Sequence, residues 1–169
     1  DRRDDYGGSL ENRCRLTLEI AREVAAAVGK ERVGIRLSPH GQANDMRPDP
    51  EPMATYGYLA EELQKLGLAY LHLYDQSTSW IHDPDDALLR LIRAKFTNAL
   101  MLCGGFTGNK AEAALATGSG DLIAIGKPFI SNPDLVSRLR QGVEIASWDS
   151  KTFYLGGHSG YLDYPTFSA

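Results

Sequence analysis

The residues of this chain that could do chemistry cluster where apolar runs stop. "ALMLC" ends on Gly104 and Gly105, and "DLIAI" ends on Gly126 followed by Lys127. Backbone N–H groups bind phosphate best where no side chain blocks the oxygens, so bare glycine tips suit an anion. Lys127 adds a positive charge for the same phosphate. Gly104, Gly105 and Gly126, with Lys127, are therefore a candidate phosphate cradle, although glycines after apolar runs are also ordinary turn formers. Arg36 lies inside the apolar run "GIRLSP". A guanidinium there needs an electron-rich partner, either a bound ligand or an internal carboxylate.

The elements that must position these residues follow from periodicity. Apolar residues recur at helical spacing from Leu10 to Val28, with Ser9 as N-cap and Gly29 as the stop. "RVGIRLSP" reads as a strand, and a Pro-rich loop leads to a helix from about Met53 to Leu66, stopped by Gly67. "AYLHLY" is the next strand, with Tyr74 and Asp75 at its end, then the loop "DQSTSWIHDPD" and a helix from Asp85 to about Phe96. "ALMLCGG", a helix from Asn109 to Thr117, "DLIAIG" and a helix from Asn132 to about Gln141 complete the pattern. Continuous apolar strands alternating with helices belong in a parallel sheet. An open doubly wound sheet and a (β/α)8 barrel both fit, and unusual residues after every strand favour the barrel. Four such units make half a barrel, which needs a second half to close its edges.

At 169 residues, 43% hydrophobic and 24% charged, the chain has the makeup of one modest globular domain. Its net charge of −4, with Lys and Arg scattered, offers no basic stripe for nucleic acid, and no apolar run is long enough for a membrane span. Cys14 and Cys103 stand alone without metal-ligand spacing, so no metal site is expected. Buried thiols in a reducing compartment, and hence a cytoplasmic location, are the expectation. His72 is expected as a packed, satisfied side chain, and His40, His82 and His158 as loop residues without a catalytic role. The opening "DRRDDYGGSLENR" has no initiating Met and enters a turn and helix at once, which reads as a piece of a longer chain. After Gly142 the sequence is aromatic and Gly-rich without periodicity, and residues 143–169 are expected to pack as an extension.

"DDYGGSLENRCRLTLEI", "VGIRLSP", "CGGF", "IGKPFISNPDLVSRLRQG" and "TFYLGGHSGYLDYPT" together closely resemble the C-terminal half of the Old Yellow Enzyme family of flavin-dependent ene-reductases. Similarity is greatest to the bacterial-type members that reduce N-ethylmaleimide and nitrate esters. The resemblance implies an α/β fold, the C-terminal half of a single FMN-binding (β/α)8 barrel domain. It implies hydride transfer from NADPH or NADH through FMN to an activated alkene such as an α,β-unsaturated carbonyl. By position, Arg36 falls beside the N1/C2-carbonyl side of the flavin. The phosphate-binding backbone falls on Gly104, Gly105 and Phe106, and on Gly126 with its successor, where the family usually has Arg and this chain has Lys127. Phe153 and Tyr154 match aromatics near the dimethylbenzene edge and the substrate pocket, and Asn44 matches a polar loop residue near that pocket. The family's His-His or His-Asn pair and its Tyr proton donor fall upstream, so this chain holds no catalytic residue. The implied partners are an N-terminal half-barrel, as a separate chain or missing segment, and a small electrophilic alkene. Two other readings remain: an inactive half-barrel acting in assembly, and a half-barrel binding phosphorylated metabolites without redox chemistry.

Overall fold

The computed structural model describes residues 2–42, 46–77 and 79–167. It divides into two compact units, Asp1–Ala124 and Ile125–Ala169. The first unit runs α1 (Leu10–Val28), β1 (Gly34–Leu37), α2 (Pro52–Leu66), β2 (Tyr70–Tyr74), α3 (Ala87–Lys95), β3 (Ala99–Cys103), α4 (Gly108–Ala116) and β4 (Leu122–Ala124). The four strands form one sheet in the order β1-β2-β3-β4, every pair parallel. This is the α/β alternation expected from the sequence.

Local chemistry sets the helix ends. The Ser9 hydroxyl accepts a hydrogen bond from the Asn12 N–H, and the Gly29 N–H donates to the Ala25 carbonyl, closing α1 at both ends. Pro52 sits at the start of α2, where its missing N–H costs nothing. Gly67 ends α2 in the left-handed conformation and donates to the Leu63 and Gln64 carbonyls. Asp86 caps α3 by accepting from the N–H groups of Leu88 and Leu89, so that helix starts at Ala87, two residues after the expected Asp85.

The sheet has two unlike faces because side chains alternate along a strand. Leu71, Leu73, Leu100 and Leu102 have no exposed surface, and Leu63, Leu68, Ile92 and Phe96 are equally enclosed. Each such side chain contributes about 1.5–3 kcal/mol on burial, so this leucine-rich layer dominates the stability of the unit. Alternating with them, Tyr70, His72, Tyr74, Met101 and Cys103 are only half-buried. β1 and β4 are the edges of the sheet.

The second unit contains α5 (Lys127–Ser131), α6 (Leu135–Gln141) and a chain that returns on itself. The helix expected from Asn132 begins at Leu135, and a short helix that the sequence did not announce, α5, ends just before Asn132. Pro133 disfavours helical backbone at the residue before it, and Asn132 is extended at φ −135° and ψ 86°. The Asn132 side chain, fully buried, replaces the lost helix bonds: its Oδ1 accepts from the Ala146 N–H, and its Nδ2 donates to the Pro128 and Ala146 carbonyls. Arg138 ties α6 to the aromatic tail by donating to Asp134 Oδ1 and to the Glu144 and Pro165 carbonyls. Residues 143–167 are therefore anchored by hydrogen bonds from the buried Asn132 and Arg138 side chains to their main chain, while Trp148, Tyr154, Tyr161 and Phe167 stay exposed.

Candidate functional site

In the first unit the chemistry-bearing residues gather at the C-terminal ends of β1, β2 and β3. Arg36 is in register with His72, which is in register with Met101, and Tyr74 pairs with Cys103 one step beyond. The Arg36 guanidinium lies over the Tyr74 ring, 4.1 Å from its centroid. Among the described residues the Arg36 guanidinium forms no ion pair and donates no hydrogen bond, so no described carboxylate partners it. Its charge is felt by its neighbours. The His72 pKa is lowered, chiefly by burial and then by Arg36. Burial raises the Cys103 thiol pKa, and Arg36 opposes that rise. His72 differs from expectation: its Nε2 is buried without a partner, because the neighbouring rungs offer it only a cation and apolar side chains.

The glycine tip after β3 is shaped by Asp75. A Cβ at Gly104 would stand 2.5 Å from the Asp75 carbonyl oxygen and 3.1 Å from its Cβ, and Gly104 has φ +148°. The close packing at this position is against protein. Gly105 follows at φ +59° and is exposed, whereas Phe106 is buried. Among the described residues the N–H groups of Gly105 and Phe106 donate no hydrogen bond, which leaves both available to an acceptor. Phe106 is held by the edge of the His82 ring, 4.5 Å between centroids.

Asp75 itself is 1% exposed and, among the described residues, has no cation partner. Its Oδ1 accepts from the Ser77 N–H at 2.8 Å and the Ser77 hydroxyl at 2.6 Å, and its Oδ2 from the N–H groups of Ser79 at 2.7 Å and Ile81 at 3.3 Å. One carboxylate thus folds the loop after β2 around itself, satisfying the burial of its charge through four donors. The Asp-x-Ser spacing in "DQS" is an Asx-turn signal that could have pointed to it.

In the second unit Gly126 precedes α5 with nothing within 4 Å of where a Cβ would stand, and Lys127 is the first residue of that helix. Phe153 is half-buried and meets Tyr154 edge-on, 6.3 Å between centroids. Tyr154 is 95% exposed, has φ +62°, and donates its N–H to the Tyr161 hydroxyl. Asn44 lies outside the described residues. A cleft of 270 Å³ between α3 and the end of α4, lined by Leu89, Arg93, Ala94 and Ser119, contains none of the sequence-predicted site residues.

A guanidinium without an ion pair among the described residues, at the carboxyl ends of parallel strands that also carry a glycine tip, is a ligand-facing arrangement. Residues 1–145 match the family model of the NADH:flavin oxidoreductase / NADH oxidase family. The chain belongs to the Old Yellow Enzyme family. Among its relatives, 12-oxophytodienoate reductase 7 of Oryza sativa subsp. japonica is 40% identical over 98% of this chain and 46% of its own length. The flavin oxidoreductase hxnT of Emericella nidulans is 38% identical over 98% of this chain and 48% of its own length. The structure of morphinone reductase in complex with tetrahydroNAD superposes with a TM-score of 0.91 at 41% identity, over 99% of this chain and 44% of that one. The chain therefore spans less than half the length of the relatives it matches, and its four parallel strands are part of a (β/α)8 barrel.

The fit of these residues to FMN can be judged from the first unit alone. A flavin needs donors for a phosphate and a cation for a ring that gains negative charge on reduction. Among the described residues Gly105 and Phe106 supply N–H donors without partners, and Arg36 a guanidinium edge without an acceptor. The residue types fit.

Proposed function

We propose that this chain supplies the flavin-side arginine and the phosphate end of the FMN site in an NAD(P)H-dependent ene-reductase barrel. The observation that carries the proposal is Arg36, held at the carboxyl end of β1 with no protein group on its donor edge among the described residues. Bound FMN would supply hydride chemistry between NADPH or NADH and the β-carbon of an activated alkene. Arg36 would place a fixed positive charge where the flavin ring gains electron density. In the first unit the N–H groups of Gly105 and Phe106 would orient the phosphate; in the second, Gly126 and Lys127 are assigned to the same role by the family resemblance alone. Phe153, Tyr154 and Asn44 belong to the aromatic and polar lining of the flavin edge and substrate pocket. The proton donor and the residues that hold the substrate carbonyl lie on the N-terminal half.

That half is the proposed partner. Leu16, Ile20, Val24 and Val28 recur every four residues along α1 and are 42–53% exposed, an apolar stripe that a neighbouring barrel helix would cover. The edge of β1 offers a strand for pairing. The test is to purify the chain alone and with its N-terminal half, and to measure retained flavin absorbance and NADPH oxidation. Flavin held only by the assembled pair, with alkene-dependent NADPH oxidation, supports the reading. A colourless assembly that takes up inorganic phosphate alone would favour a phosphate site without redox chemistry.

A further inference from the structure

We infer that Tyr74 is a positioning residue for Arg36: its ring is a platform that holds the guanidinium flat on the open face of the sheet, with the N–H edge presented to the flavin. The inference rests on the flavin reading above and goes beyond it in naming what orients the cation.

A long arginine side chain on an exposed surface samples many rotamers, and a donor that wanders contributes little orientation to a ligand. Arg36 is exposed, and among the described residues no carboxylate and no carbonyl holds it. The contact that does hold it is the Tyr74 ring, at 4.1 Å from the guanidinium carbon, well inside the range of a cation–π contact. The contact is a product of register. Arg36 pairs with His72, so Tyr74, two residues on, is the next side chain on the same face toward the carboxyl end. Tyr74 is itself fixed, half-buried in the strand that pairs with β3 at Cys103 and followed at once by the buried Asp75. Stacking uses the flat π-surface of the guanidinium and leaves its in-plane N–H donors free, whereas an ion pair would consume them. Among the described residues the Tyr74 hydroxyl makes no hydrogen bond, so the ring carries the role.

The prediction is specific to the ring. Tyr74→Phe keeps the platform, and Tyr74→Leu keeps apolar bulk without a π-face. In the full chain, the side-chain protons of Arg36 should show an upfield ring-current shift by NMR in the wild type and in Tyr74→Phe, and lose it in Tyr74→Leu. With oxidised and chemically reduced FMN as probes of the chain assembled with its N-terminal half, Tyr74→Leu should weaken the reduced form about two- to fivefold more than the oxidised form, the span of an exposed cation–π contact. Tyr74→Phe should restore both the shift and the affinity ratio. An unshifted Arg36 in the wild type, or an unchanged ratio in Tyr74→Leu, would overturn the inference. Failure of the wild-type chain, assembled with its N-terminal half, to take up either form of FMN would instead refute the flavin reading, and the shift, which is read without flavin, tells the two failures apart.

Discussion

Two glycines in this chain are bare for different reasons, and substitution separates them. At Gly104 a methyl group would stand 2.5 Å from the Asp75 carbonyl oxygen and 3.3 Å from its carbonyl carbon, both backbone atoms that cannot swing away. Gly104 also has φ +148°, where a side chain is strained by about 1–3 kcal/mol. Overpacking against fixed atoms adds about 1–3 kcal/mol, so Gly104→Ala should destabilise the chain by about 2–6 kcal/mol. At Gly126 no atom lies within 4 Å of the methyl position and φ is −97°, so Gly126→Ala should be neutral or stabilising by up to about 1 kcal/mol. Urea unfolding of the full chain measures both, and amide exchange at Ser77, Ser79 and Ile81 reports whether the loop around Asp75 loosens with Gly104→Ala. If FMN phosphate approaches the backbone at Gly126, the same methyl should lower FMN affinity by about tenfold while leaving stability intact. A Gly104→Ala chain within about 0.5 kcal/mol of the wild type would refute the argument that Asp75 dictates the glycine. A Gly126→Ala chain with unchanged FMN affinity would reduce that glycine to a turn residue.

Asp75→Ala removes an acceptor that four donors share, so it should cost about 3 kcal/mol or more, and Asp75→Asn, which keeps one carbonyl oxygen, should cost less; equal losses in urea unfolding would show that the loop does not depend on these bonds. Asp121 has its pKa lowered, first by the Leu100 N–H and then by the Arg93 guanidinium. Because the folded value lies below the unfolded one, its stabilisation is complete above the ordinary carboxylate range and is lost as pH falls through the depressed value. Asp121→Asn should therefore lower Tm at neutral pH and flatten its fall below about pH 4, as thermal unfolding across pH would record. Lys127→Arg should tighten FMN binding a few-fold, since a planar fork can meet two phosphate oxygens where an ammonium meets them as a point charge; unchanged affinity in a fluorescence titration would argue that Lys127 does not touch phosphate.

The features legible in the sequence are those that a short window contains. Ser9 with Asn12, Gly29 and Gly67 mark helix ends by contacts within five residues, and they lie where the sequence puts them. The alternation of apolar runs and helices gives a parallel sheet because strands buried on one face and half-covered on the other leave a near-continuous apolar run. The break at Asn132 was harder to read: five helical residues carry too little periodicity to stand apart, and the side chain that ends the first helix does so by reaching Ala146. The bare tip at Gly104 was legible as a position without a side chain, but its cause was not, since the crowding atom is Asp75, 29 residues earlier.

The same distinction bears on the arginine. That Arg36 needs a partner follows from one residue in an apolar run, yet the identity of the partner requires knowing which strand lies beside β1 and in what register. A slip of one residue in the pairing of Gly34 with Tyr70 would turn Tyr74 to the leucine-rich face and put Leu73 beside the guanidinium. Tyr70 also packs its ring over Gly34, where any side chain would collide with it, and so holds the register at one end of the strand. Gly34→Ala should therefore disturb Arg36 two residues away without touching it. If Gly34→Ala leaves the Arg36 ring-current shift intact, register is fixed elsewhere along the pair, and the leucine layer rather than the Tyr70–Gly34 contact sets the geometry of Arg36.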